Sequence, residues 1–136
     1  MINRLSHATV WVLDQDAAKS FYTEKLGFEV RTDTELDGLR WLTVGPPEQP
    51  DVEMILLLPG PPMMDEKSAE QVKALVAKGS LGPGVFATDD CHKAFEDLSA
   101  RGVEFLQEPS DRGYGIEAVF RDDSGNWYSL TQRTAP

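Results

Sequence analysis

The stretch DQDAAKSFYTEKLGF, residues 14–28, decides how the rest of the chain is read. Asp14 or Asp16 can cap a helix, because a carboxylate oxygen accepts the free N–H groups of its first turn. Ala17, Ala18, Phe21, Tyr22 and Leu26 then recur at helical spacing, and Gly27 suits the left-handed residue that ends such a helix. The same design returns as DDCHKAFEDLSARGV, residues 89–103. There Asp89 or Asp90 is the cap, Cys91, Ala94, Phe95 and Leu98 form the stripe, and Gly102 is the stop. Asp14 to Asp89, Gly27 to Gly102 and Gly38 to Gly113 are each 75 residues apart, so the chain is a duplication.

Strand patterns flank both copies. In residues 7–13, Ala8, Val10 and Val12 alternate with His7, Thr9 and Trp11, which puts the two sets on opposite faces. After the first helix, strands are predicted over 28–34, 39–44 and 52–58, with Asp37-Gly38 as a tight hairpin between the first two. Pro59-Gly-Pro-Pro62 breaks the chain. A linking helix follows over 65–78, with Ser68 and Gln71 at capping-box spacing. The second copy predicts strands over 85–88, 103–107, 115–121 and 127–131. The order is βαβββ, a linking helix, then βαβββ: an α+β chain read as one domain over 1–136, with modules near 5–58 and 83–132.

Composition bounds the function. The chain has 136 residues, 40% of them hydrophobic, which is one domain's worth and leaves no room for a separate cofactor module. Its 13 basic and 23 acidic residues give a net charge of −10, which disfavours a nucleic-acid partner. The charges are scattered, as expected of a solvated surface. The longest apolar run, Met54–Leu58, is far too short to span a membrane, and no secretory segment is evident. One cysteine, Cys91, excludes an internal disulfide and fits a reducing compartment, so a cytoplasmic location is expected.

Two βαβββ units in this length resemble the vicinal oxygen chelate superfamily, the glyoxalase/bleomycin resistance protein/dioxygenase group. Phe21-Tyr22 followed by Leu26-Gly27-Phe28 is similar to its helix-to-strand junction. Phe120-Arg-Asp122 leading to Gly125-Asn126 is similar to its last hairpin, with Asp123 where proline is usual. The resemblance implies curled sheets enclosing a cavity, a homodimer, a small-molecule ligand, and in many members a divalent metal such as zinc, nickel, iron or manganese. His7 matches the family's first-strand ligand and Glu53 its fourth-strand carboxylate. The second unit breaks the pattern. Gly82-Pro83-Gly84 stands where the third ligand belongs, and Ser129 at the position assigned to the fourth. Two donors are fewer than the three that catalytic metals usually take from protein.

The site expected from these matches is an aromatic cavity lined by Trp11, Trp41, Phe86, Tyr114, Trp127 and Ser129, with ordinary core packing as the plain alternative for each ring. His7 and Glu53 form an incomplete metal pair. The function expected is small-molecule binding, such as drug or toxin sequestration. The alternatives are a metal-dependent enzyme of glyoxalase or extradiol-dioxygenase type, and a metal-free one with Glu53 as general base. Arg40, Glu117 and Arg121 are further polar residues that could reach a ligand, with their faces left open.

Overall fold

A computed structural model describes Met1–Thr134 and contains two four-stranded mixed sheets. The first holds β1 (His7–Trp11), β2 (Glu29–Leu36), β3 (Leu39–Gly45) and β4 (Glu53–Leu57) in the order β1-β4-β3-β2. The second holds β5 (Gly84–Ala87), β6 (Glu104–Asp111), β7 (Gly115–Arg121) and β8 (Trp127–Arg133) in the order β5-β8-β7-β6. In each, the first strand runs parallel to the last and every other pairing is antiparallel. The sheets are the predicted pair of βαβββ units, curled but not closed. Helices α1 (Gln15–Ser20), α2 (Glu66–Ala77) and α3 (Cys91–Ala100) complete the chain, and none is long and apolar enough to cross a membrane.

The caps refine the repeat. Asp14 accepts from Ala17 N, and its counterpart is Asp90, which accepts from Lys93 N. The helix starts are therefore 76 residues apart, while the terminal glycines Gly27 and Gly102 remain 75 apart. The first module absorbs the extra residue by continuing α1 into a π-helical turn, Phe21–Lys25, whose wider ring of hydrogen bonds takes up one insertion. One further local detail differs from the sequence expectation, and another agrees with it. Asp65, rather than Ser68, caps α2, by accepting from Ser68 N. Asp37 and Gly38 both have positive φ, 53° and 80°, as a two-residue hairpin turn of this hand requires.

The two sheets pack one face each onto a shared core. Val10, Val12, Leu42, Val44 and Leu56 from the first sheet share one core with Ala118, Phe120, Tyr128 and Leu130 from the second, with α1, its π turn and Cys91 of α3 between them. The modules are also pinned by polar contacts. Tyr22 Oη, carried on the π turn, donates to Asp122 at 2.6 Å and lies 2.8 Å from Tyr128 Oη. Asn126 Nδ2 donates to the Trp11 carbonyl at 2.8 Å, and Leu13 N to Ser124 Oγ at 2.9 Å.

Asp123, at the position where proline would be usual, carries a cost of its own. Desolvation first, then the carboxylates of Asp122 and Asp14, push its pKa from 3.8 to about 7. Between those two values the unfolded chain gives up the proton that the folded chain keeps, so this group's contribution falls as pH rises through that window. Asp123→Asn is expected to raise the urea midpoint at pH 8 and leave it unchanged near pH 4. The gain should stay under about 1 kcal/mol because the side chain is exposed.

Candidate functional site: two open sheet faces

Alternation along the strands decides what the uncovered faces carry. On the first sheet, His7, Thr9 and Trp11 of β1 point away from the core side occupied by Val10 and Val12, as the sequence pattern predicts. His7 is paired directly with Glu53 in the parallel ladder. His7 Nε2 lies 3.5 Å from Glu53 Oε2, and the His7 and Trp41 rings are 6.2 Å apart. Thr43 Oγ1 donates to Glu53 Oε1 at 2.6 Å, which orients the carboxylate. His7, Trp41 and Glu53 are thus brought together, with Trp11 on the same face.

The second sheet's open face forms a groove of about 540 Å³ lined by Val85, Ala87, Tyr114, Glu117, Ser129, Thr131 and Arg133, with the Phe86 backbone between two of them. Tyr114 and Ser129 both line this groove. Trp127 stands on the same side of β8 as Ser129, with its indole packed over Gly82 so closely that a Cβ there would collide with the ring. Phe86 lines this groove as well, but its ring turns elsewhere. It alternates to the other face of β5, where its ring lies 4.5 Å from Tyr128 and 5.4 Å from Phe28. There it borders a separate apolar crevice of about 280 Å³ between the modules.

The remaining polar residues sort themselves by face. Arg40 points to the helix side and pairs with Asp16 at 2.6 Å and Asp33 at 2.9 Å. The Arg121 guanidinium packs against Gly79 at the end of α2. Of the three, Glu117 reaches an open face, and its one sequence signal is an acid in mid-strand between Ile116 and Ala118. Thr43, Val85, Thr131 and Arg133 carry no sequence signal that sets them apart from other strand residues. Cys91 is buried on α3, where burial pushes its thiol pKa up, consistent with core packing.

The residues do not fit a catalytic metal. The shifted cap makes Pro83, rather than Gly82, the counterpart of His7. Extending the Gly84–Tyr128 pairing by one residue puts Trp127, rather than Ser129, opposite it as the counterpart of Glu53. Neither can ligate a metal, which leaves His7 and Glu53 as the two candidate donors. Among the described residues no three His, Cys, Asp or Glu side chains gather as a metal site.

Paired βαβββ units, each with one open face, define a class, and comparison with known proteins names it. The chain belongs to the Glyoxalase/Bleomycin resistance protein/Dioxygenase superfamily, whose family model matches residues 4–130. The crystal structure of UcmS2 is 55% identical, with a TM-score of 0.92, over 97% of this chain and 99% of that one. TnmS3, an antibiotic binding protein from Streptomyces sp. CB03234, is 31% identical with a TM-score of 0.79, over 98% of both chains. Uncharacterized protein YurT of Bacillus subtilis is 33% identical over 92% of this chain and 95% of its own length.

Proposed function

We propose that this protein binds and sequesters a small, largely apolar molecule of the antibiotic type, in a cavity that a second copy of the chain completes. The observation that carries the reading is the open face of the second sheet. Val85 is 70% exposed in mid-strand, beside Tyr114 and above a floor of Glu117, Ser129 and Thr131. A phenol ring, a valine and an alanine around a few convergent polar groups are the composition of a ligand pocket. The likeness to TnmS3 over nearly the whole chain supports the same reading. Trp11, Trp41, Tyr114 and Trp127 supply the rings that would stack on the ligand. Buried, unpaired Cys91 suits the reducing cytoplasm in which such a binder would work.

Tryptophan fluorescence tests this directly. Titration with planar polycyclic antibiotics is expected to give saturable quenching at one site per chain, and a flat response across such a panel overturns the proposal. Elemental analysis of protein purified without chelator is expected to show substoichiometric zinc, nickel, iron and manganese. One equivalent of any of them would instead favour the enzyme reading of glyoxalase or dioxygenase type. That rival rests on the His7–Glu53 pair, with Glu53 as its general base, and predicts that His7→Ala and Glu53→Gln both lose the metal.

A further inference from the structure

We infer that Glu117 is the anchoring acceptor of the ligand site, and that the molecule bound there presents a hydrogen-bond donor (an ammonium, phenol or amide N–H) to its carboxylate. The inference rests on the small-molecule reading above and names the chemistry of its ligand. It follows from counting protons on the floor of the groove. Ser129 Oγ donates to Glu117 Oε2 at 2.6 Å. A hydroxyl has one proton to give, so in the 3.0 Å contact between Ser129 and Thr131 it is Thr131 that donates. The chain therefore runs Thr131 to Ser129 to Glu117. Both hydroxyl protons are directed at the acid, and neither remains for a ligand.

Among the described residues, none gives a hydrogen bond to the other carboxylate oxygen, Oε1. Its nearest cation is Arg112, whose Nε is 3.6 Å away and whose Nη2 is held by Gln107 at 2.6 Å. Arg133 is the cation that lines the groove, and its side chain is exposed. Glu117 is only about a fifth exposed already, so a ligand lying over it removes most of its remaining water. Covering a carboxylate without supplying a donor is costly, and a hydrogen bond to a charged group is among the stronger ones. The groove thus selects for donors at that point. Ser129, expected from sequence to touch the ligand, becomes a positioning residue that aims Glu117.

Three planar tricyclic probes separate the outcomes: 9-aminoacridine, a cation with N–H donors; 10-methylacridinium, a cation with none; and 9-anthracenecarboxylate, an anion with acceptors only. Wild-type protein is expected to bind 9-aminoacridine most tightly. Glu117→Gln should weaken that probe about tenfold or more, while changing 10-methylacridinium by no more than a few-fold. Ser129→Ala should lower the preference for 9-aminoacridine over 10-methylacridinium, a ratio that a purely structural defect would leave alone. Equal binding of the two cations by wild-type protein, or an unchanged ratio in Glu117→Gln, overturns this inference and leaves small-molecule binding standing. Failure of all three probes to bind overturns both.

Discussion

Asp122→Ala is expected to abolish cooperative folding near physiological temperature, or to lower stability by roughly 3–5 kcal/mol where folding survives. Asp122 is buried, and its two oxygens accept five hydrogen bonds. Oδ1 takes the backbone N–H groups of Ser124, Gly125 and Asn126, each at 2.9 Å, which shapes the β7–β8 turn. Oδ2 takes Tyr22 Oη at 2.6 Å and Asn126 Nδ2 at 2.9 Å, which ties that turn to the first module. Alanine leaves all five donors without their acceptor in a place water does not reach. Each such group costs about 1–3 kcal/mol, against a total stability of about 5–15 kcal/mol for a domain.

Graded variants separate this hub from a general packing defect. Because Tyr22 donates to Asp122, Tyr128 must donate to Tyr22, so the two phenols are not equivalent. Tyr128→Phe removes the end of the chain and should cost about 1 kcal/mol. Tyr22→Phe removes its middle link, depriving both Asp122 and Tyr128, and should cost more. Asp122→Asn keeps the shape and one acceptor oxygen and should fall between Tyr22→Phe and Asp122→Ala. Urea denaturation followed by circular dichroism gives the order. A loss below about 1 kcal/mol in Asp122→Ala would show that the turn and the module contact hold without the carboxylate.

The hub also shows what the sequence could and could not disclose. The duplication was legible because caps and helix-ending glycines are dictated locally, by backbone groups needing an acceptor or a left-handed residue. The faces of β1 were legible for the same reason, since alternation needs no partner. The one-residue shift between Asp14/Asp90 and Gly27/Gly102 was not, because a π turn differs from an α turn only in which carbonyl a given N–H finds. That shift moved the counterpart of His7 from Gly82 to Pro83, and the ladder moved that of Glu53 from Ser129 to Trp127. The face of the Phe86 ring is not legible for a related reason: a phenylalanine in a four-residue strand suits either face, and its ring is placed by Phe28, Phe120 and Tyr128 arriving from elsewhere in the chain. Glu117 became informative only once Ser129 and Thr131 were seen beside it.

Val85→Glu is expected to convert a dimer to a monomer and to remove ligand binding with it. Wild-type protein should sediment at twice the 15.1 kDa chain mass, and the variant at 15.1 kDa. Val85 sits on β5, the edge strand of its sheet, and points away from the core into the same groove as Tyr114 and Ser129. A glutamate there places a second carboxylate beside Glu117 on a chain that already carries −10. If the open face of a second copy covers this groove, that charge must be buried without a partner, at a cost of several kcal/mol. A loss of about 4 kcal/mol moves a micromolar dimer to the millimolar range. Lys93→Glu serves as the control, because it makes a larger charge change on the exposed side of α3, away from the groove. If repulsion between net charges governed assembly, Lys93→Glu would dissociate the protein at least as well as Val85→Glu. If covering the groove governs it instead, only Val85→Glu should do so, and wild-type protein sedimenting at 15.1 kDa would remove the second copy from the site altogether.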